Sequence, residues 1–309
     1  MTTYRPEGLL IDTPENCAYL KSISALEEAM REGRCLEGRA VVCDSAHNLY
    51  VDLGCTRGII PREEGALGIE DGSTRDIAII SRVNKPVAFQ VIAIDRQGDG
   101  APRPILSRRL VQKACMEEYL TQLRPGDIID ARVTHLEPFG CFVDVGCGIS
   151  SLIPIDAISV SRISHPRDRF HVGQDIQAVV RQMEPGGRIS LSHKELLGTW
   201  LENAAAFAAG ETVVGLVRSV EPYGVFVELA PNLAGLAEAA PGLDCGQLVS
   251  VYIKSIIPEK MKIKLVVLHA MRDETFAFPL EYRLHAGHIR RWIYSVPGAA
   301  RVIETIFDG

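Results

Sequence analysis

Nine residues, Glu137-Pro138-Phe139-Gly140-Cys141-Phe142-Val143-Asp144-Val145, return later as Glu221-Pro222-Tyr223-Gly224-Val225-Phe226-Val227-Glu228-Leu229. Each copy sets an aromatic, a glycine, a small residue, a phenylalanine, a valine, an acid and an aliphatic residue in that order. A strand that only filled a core would alternate aliphatic and ordinary polar residues. Glycine inside a strand marks a bulge or a close backbone approach. With a bend at Gly140, Phe139 and Phe142 reach one surface, while Cys141, Val143 and Val145 turn inward. Paired aromatics on a sheet surface are the chemistry of base stacking. The competing reading is two aromatics packed in a core, and the repetition favours the platform.

A second set of residues suits phosphate. Lys260, Lys262 and Lys264 follow a turn at Pro258-Glu259, and strand alternation is expected to place all three on one face. Such lysines also protect an edge strand, and the two roles are compatible. The basic run Arg162, His165, Arg167, Arg169 and His171 is expected on an exposed, RNA-facing connection. Catalysis finds no support. There is no G-x-x-x-x-G-K-[ST] loop, no H-E-x-x-H and no G-x-S-x-G elbow. The acids that recur once per copy sit on strands that need a polar outer face. The eight cysteines include no Cys-x-x-Cys pair, so no metal site and no cofactor is expected. Scattered free cysteines fit a reducing cytoplasm.

These residues need strands to position them. The chain has 309 residues, 47% hydrophobic and 23% charged, with a formal net charge of −6. That is a globular balance for two or three domains. It excludes a histone-like polycation but not a local basic patch. No apolar run is long enough to span a membrane, and the first residues lack the apolar stretch of a signal peptide.

In order, residues 1–32 predict a packing helix with Thr13 as N-cap, Pro14 at N1 and Gly33 as its end. Residues 33–110 read as a degenerate first copy, in which His47-Asn48 replaces the aromatic-glycine pair and Tyr50 remains. Within it, 75–94 predicts two strands, and Arg96–Arg103 a loop. A helix over 107–124 follows, with Leu110, Ala114, Met116 and Leu120 buried. Residues 126–194 form the clearest copy: strands at 128–133, 141–145 and 149–153, a short helical connection, strand 175–182, a turn at Pro185-Gly186-Gly187, and strand 188–192. Five short strands with a connection between the third and fourth is the plan of an OB-fold. A linking helix over 193–209 carries Trp200, read as a packing anchor between the second and third copies. Residues 210–268 are the third copy. Residues 269–309 form a tail of about one strand and one helix, with Trp292 and Tyr294 packed on the third barrel. The fold class is mainly β: three tandem five-stranded barrels, the first degenerate, joined by helical linkers.

Gly126-Asp127-Ile128, Phe139-Gly140-Cys141-Phe142-Val143, Leu152-Ile153 and Arg188-Ile189-Ser190-Leu191-Ser192-His193-Lys194 resemble the RNA-binding domain named after ribosomal protein S-one. The third copy matches through Gly210, Tyr223-Gly224-Val225-Phe226-Val227, Gly235-Leu236 and Lys262-Ile263-Lys264-Leu265. The arrangement is similar to the short, three-domain proteins of this kind in clostridial bacteria. The resemblance implies an RNA face made of two aromatics, a histidine after the third strand, and an acid and a base around the last hairpin. It thereby assigns Phe139, Phe142, Glu184 and Arg188 in the second copy. In the third it assigns Tyr223, Phe226, Glu259 and Lys262, beside Lys264. Pro154 and Glu238 stand where the histidine would be, and Pro61 does in the first copy, which offers Tyr50 and Arg103. The implied partner is single-stranded RNA, as messenger RNA, with the small ribosomal subunit; no membrane is involved. The alternatives are a protein-interaction scaffold, or an accessory subunit of an RNA-decay or transcription complex.

Overall fold

Strands with one apolar face must bury it, and closing a sheet on itself does so while removing both edges. The computed structural model describes residues 4–96, 102–184, 188–240, 242–271 and 276–307. It contains three closed five-stranded barrels. The first is made of β1 (Leu36–Cys43), β2 (Leu49–Asp52), β3 (Arg57–Ile60), β4 (Pro86–Asp95) and β5 (Arg103–Ser107). The second has β6 (Ile128–Glu137), β7 (Gly140–Asp144), β8 (Ser150–Pro154), β9 (Asp175–Met183) and β10 (Ile189–Ser192). The third has β11 (Thr212–Glu221), β12 (Gly224–Ala230), β13 (Leu233–Ala237), β14 (Leu248–Ile257) and β15 (Lys262–Met271). In each ring the third strand meets the fifth, and the meeting is parallel: Ile59 pairs with Ile105, Leu152 with Ser190, and Leu236 with Lys264. These are tandem OB-folds.

The chain divides into two compact units. One holds the described residues up to Leu123, with Asp130–Arg132 and Asp144–Ser150; the other holds Arg124–Ile129, Val133–Val143 and Ser151 onward. In the first unit, the predicted single N-terminal helix is two, α1 (Pro14–Tyr19) and α2 (Ile23–Glu32). Thr13 caps α1 as expected, but Ser22 is extended and caps a second start by accepting from the Ala25 N–H. Leu26 and Ala29 pack into the first barrel's core, and Gly33 ends α2 in the left-handed conformation. The first of the two strands predicted over 75–94 is instead a helical turn, α3 (Ile77–Ile80). Its run of isoleucines buries only Ile79. Helix α4 (Arg108–Glu118) is shorter than predicted, and Leu120, buried as expected, lies in the 3-10 turn that follows. The helix is also rotated from its predicted face: it buries Arg108, Val111, Gln112 and Cys115. The reason is Glu7, whose carboxylate is buried against the Arg108 guanidinium at 2.7 Å. A buried charge needs its partner inside.

In the second unit, α5 (Ile155–Ile158) opens the connection after β8. The predicted linker helix over 193–209 is a 3-10 turn, Lys194–Leu197, then α6 (Trp200–Ala204). Gly198, at φ 81°, separates them, and Thr199 caps the second with Glu202 in a capping box. The tail holds no helix among the described residues. It forms two paired strands, β16 (Arg291–Ile293) and β17 (Glu304–Ile306). Trp292 and Tyr294 pack into the third barrel's core, as expected. The tail also lies along the second barrel, where the Tyr282 hydroxyl accepts from the Gln177 N–H and the Ile128 N–H donates to the Gly287 carbonyl. The Pro185-Gly186-Gly187 turn and residues 97–101 of the predicted loop lie outside the described residues. No helix among the described residues is long and apolar enough to cross a membrane.

Trp200 is 2% exposed, in one cluster with Val179 of β9, core residues of the third barrel, and Trp292 and Tyr294 of the tail. Its N–H donates to the Tyr294 carbonyl. Trp292 is 6% exposed. Both tryptophans should therefore emit with a blue-shifted maximum, and iodide should quench them far less than free tryptophan. Trp200→Ala should cost about 3–5 kcal/mol of stability by urea unfolding.

Candidate nucleic-acid interface

The repeated motif does lift two aromatics onto the outside of a barrel. Phe139 is 57% exposed and Tyr223 68%. Phe139 meets Phe142 edge-to-face with centroids 5.9 Å apart and planes at 89°; Tyr223 meets Phe226 at 6.2 Å and 87°. Cys141, Val143 and Val145 are buried beneath. The glycine acts by close approach, not by a bulge of its own strand. A Cβ on Gly140 would stand 2.6 Å from the Ile153 carbonyl, and one on Gly224 2.4 Å from that of Ala237. Only glycine lets β7 and β12 press so near the end of the third strand. The bulge lies on the neighbouring first strand, between Ala40 and Val42 and between Val217 and Ser219.

In the second barrel one residue departs from the alternation pattern. Ile129, Ala131 and Val133 are buried on β6, so a regular strand would bury His135 as well. Yet the His135 side chain is 64% exposed, its ring 6.4 Å from that of Phe142, and its Nε2 is 2.7 Å from Glu137 Oε1. By motif alignment it stands where Ser219 stands, which pairs with Phe226. An imidazole thus adjoins the second platform, although Pro154 occupies the place after the third strand.

Cross-strand registers give the rest of each face. In the third barrel Ser219, Phe226, Leu236 and Lys264 form one row across four strands. Lys264 is thus two strands, roughly 10 Å, from Phe226. Leu236 is 38% exposed and extends the apolar platform. Lys262 and Lys264 alternate with buried Ile263 and face solvent, but Lys260 sits in the preceding 3-10 turn with Glu259, not on the strand. In the second barrel Leu152 pairs with Ser190. Arg188 is exposed, two residues from Ser190 with buried Ile189 between, so it shares that outer face. Glu184 is exposed opposite it, and its N–H donates to the Arg188 carbonyl at 2.7 Å. Glu238 is exposed at the end of β13, next to Ala237 and beside the Tyr223-Gly224 turn.

The first barrel departs at these same places. His47 binds Asp76 at 3.2 Å, and Arg62 binds the same carboxylate at 2.8 Å. Asn48 replaces the glycine, and its side-chain carbonyl accepts from the Arg62 N–H. Tyr50 is half-buried and donates to Asp44. The row Val42, Tyr50, Ile59 and Ile105 carries no cation.

Two expected surface groups are interior. The basic connection 162–171 is not a solvated loop throughout. Arg169 is buried and bound to Glu228, which also takes Arg218 at 2.6 Å; Arg218 in turn reaches Asp168 at 3.2 Å. His165 caps a 3-10 turn by accepting from the Arg167 N–H, leaving Arg162, Arg167 and His171 exposed. The recurring acids are also inside: Glu228 is 0% exposed and Asp144 3%. Asp144 accepts the N–H groups of Glu7, Gly146 and Gly148, and burial, with Glu7 nearby, pushes its carboxyl up to about 7. Among the described residues no group of three or more His, Cys, Asp or Glu is placed to hold a metal.

A family model for the S1 RNA binding domain matches residues 122–194. The small ribosomal subunit protein bS1 of Staphylococcus haemolyticus is 31% identical over 285 residues, covering 86% of this chain and 69% of that protein. The chain belongs to the bS1 family. The Staphylococcus aureus bS1 (strain COL) is 29% identical over 272 residues, or 82% of this chain, and the match spans 66% of that relative's length. The solution structure of GSP13 from Bacillus subtilis is 25% identical, with a TM-score of 0.22 over 23% of this chain and 55% of its own.

Within this bS1-family chain, His193 of the Ser192-His193-Lys194 motif is a core group. It is 0% exposed. Its Nδ1 faces the Ile158 carbonyl, which only accepts, so Nδ1 carries the proton and Nε2 accepts from the Tyr282 hydroxyl. Burial pushes its pKa down to about 4, with Arg169 adding to the effect. The unfolded chain therefore takes up this proton first, as pH falls through about 6.5. Stability should fall from there until the folded ring also protonates near pH 4, by roughly 3 kcal/mol in all. Urea unfolding at a series of pH values should show that slope, and His193→Gln should flatten it. Arg169→Ala should cost about 3–5 kcal/mol, because it removes one of the two guanidinium partners of the fully buried Glu228. Arg167→Ala, on the exposed side of the same turn, should change stability by less than about 0.5 kcal/mol.

Proposed function

We propose that this chain binds single-stranded RNA on the outer faces of its second and third barrels, and that it does so in the cytoplasm as a messenger-RNA-binding component acting at the small ribosomal subunit. The observation that carries this reading is the pair of matched edge-to-face aromatic platforms, exposed Phe139 on half-buried Phe142 and exposed Tyr223 on half-buried Phe226, each set across the sheet from a cation. Successive bases stack on the rings, a contact every base can make. Arg188 holds phosphate in the second barrel, with Lys262 and Lys264 in the third, while Glu184 and Glu259 accept hydrogen bonds from base edges. The role is binding, not catalysis.

The three barrels are ranked by what surrounds each platform. The second leads, with His135 and Arg188 beside two phenylalanines. The third follows: its lysines work against Glu238. The first contributes least, since Asp44 and Asp76 occupy its platform edge. Two modest sites on one chain reinforce each other through effective concentration. Names of relatives in the bS1 family, which describe small-subunit proteins, and the matched S1 RNA binding domain support the same reading.

Titration of a fluorescent single-stranded RNA tests it. Replacing Phe139 and Phe142 together by Ala should weaken binding by roughly 2–6 kcal/mol if both rings stack. The Tyr223/Phe226 pair variant should lose less. Circular dichroism checks that each variant is folded. Wild-type affinity in a folded Phe139/Phe142 variant would reject the platform reading and favour a protein-interaction scaffold.

A further inference from the structure

An open cleft of 310 Å³ lies between the connection after β8 and the tail segment leading into β17. Its floor and walls include Ile155, Val160 and Ile303, and its rim carries Arg162, Lys194 and Arg301. Asp156 is the one carboxylate among the lining residues. Three cations against one acid make this a local positive site on a chain whose formal net charge is −6. Among the described residues neither Arg162 nor Arg301 has an ion-pair partner, and both are exposed. The Lys194 ammonium is steadied by the Asp156 carbonyl at 3.2 Å.

Two hydrogen-bond patterns tie the cleft to the platform and fix its far wall. The Ile155 N–H donates to the Phe139 carbonyl at 3.0 Å, so a residue lining the cleft is hydrogen-bonded to the turn that carries the exposed ring. On the other side, the Ser295 hydroxyl donates to the Arg301 carbonyl and accepts from the Ile303 N–H. The Tyr294 N–H donates to the Ile303 carbonyl, and the Thr305 hydroxyl to Glu195. The tail wall is thus pinned to the body that holds the aromatics.

We propose that this cleft is a further nucleotide subsite for the RNA strand that stacks on Phe139 and Phe142. The strand runs over the Phe139 turn into the cleft. There the apolar walls take a base or ribose, and Arg162, Lys194 and Arg301 take the adjoining phosphates. The volume is in the range of small-ligand pockets, and cations around an apolar floor match a nucleoside phosphate. The tail becomes part of the RNA-binding surface, a role that its packing alone does not require. This inference rests on the RNA-binding reading above.

The test uses the full chain and a single-stranded oligouridylate of about twelve nucleotides. Each cation lost from a single-strand phosphate contact lowers the salt slope by about 0.7, which is about fivefold in affinity at ~0.1 M salt. Arg162→Ser with Arg301→Ser should therefore weaken binding by about 25-fold at ~0.1 M salt, and the difference should shrink as salt rises. Lys21→Ser, which removes an exposed cation far from the cleft in sequence, should bind as wild type. A photoreactive 4-thiouridine placed in the oligonucleotide should crosslink to the tail peptide containing Ile303, and the double variant should lose that crosslink.

If the double variant binds as wild type while the Phe139/Phe142 variant loses affinity, the subsite is wrong and the platform stands. If uridine monophosphate abolishes the crosslink at concentrations comparable to the RNA, the cleft is a site for free nucleotide instead, and the strand path is wrong. If the Phe139/Phe142 variant itself keeps wild-type affinity, the RNA-binding reading fails and the strand path fails with it.

Discussion

A carboxylate taken out of water has to be neutralised where it lies, and the second unit is organised around one such group. Glu228 sits on β12, fully buried, two positions from the platform ring Phe226. Its two oxygens face Arg169, from the connection after β8, and Arg218, the extra residue at the β11 bulge. Breaking such a cluster at one member costs about 3–5 kcal/mol, because a charge is left without its partner. The geometry is therefore strongly held. Asn232 completes it from the neighbouring turn: its side chain accepts from Ser159 and from the Val160 N–H, and donates to the Lys194 carbonyl. The polar contacts that fix the third barrel against the second thus also fix the residues lining the cationic cleft.

The same constraint explains how one ladder serves three different surfaces. The close approach at Gly140 and Gly224 aligns the second strand with the end of the third, and the bulge on the first strand turns one more side chain outward. Whatever stands at those positions becomes the face. Phenylalanine with histidine gives a platform with an imidazole neighbour; phenylalanine with leucine and lysine gives a longer apolar strip ending in a cation. In the first barrel Asn48 takes the glycine's place and spends its side chain on the Arg62 N–H, while His47 is drawn to Asp76. The barrel still closes, because closure depends on the inward residues Leu49, Val51 and Ile60. Fold and binding face are carried by opposite sides of the same strands, so one side can change while the other is kept.

That division is also what made some features legible in the sequence and others not. The barrels could be read because inward residues alternate, and the platforms because an aromatic-glycine-Phe pattern breaks that alternation twice in the same way. His135 could not be read, because alternation along β6 from Ile129, Ala131 and Val133 assigns it to the core, while its side chain is exposed. Arg169 looked like its exposed neighbours Arg162 and Arg167. Its burial follows from Glu228, which lies far along the chain, and Glu228 itself looked like an outward acid. Arg108 was missed for the same reason: its partner Glu7 precedes it by most of a barrel. Short helices were the other weak point. Leu20-Lys21-Ser22 and Gly198-Thr199 each end one helical segment and cap the next, and periodicity alone runs straight through such breaks.

The misreadings of Arg108, Arg169 and Glu228 share a direction, and it bears on how the surface works. Each of these three charged residues lies in the interior rather than in solvent. The formal charge is therefore a poor guide to what an approaching polyanion meets. With Arg108, Arg169 and Arg218 bound to buried acids, the cations that remain outside the pairs carry the local field, and they are not spread evenly. Arg162 and Arg301 border the cleft that is hydrogen-bonded to the Phe139 turn, while Lys264 ends the row that includes Phe226, with Lys262 two positions before it on β15. A field of this kind acts within about 10 Å at 0.1 M ionic strength, so an acidic chain can still present basic tracks. Under the RNA-binding reading proposed above, stacking would make contact with any base, and the positions of these few cations would set the direction in which the strand lies.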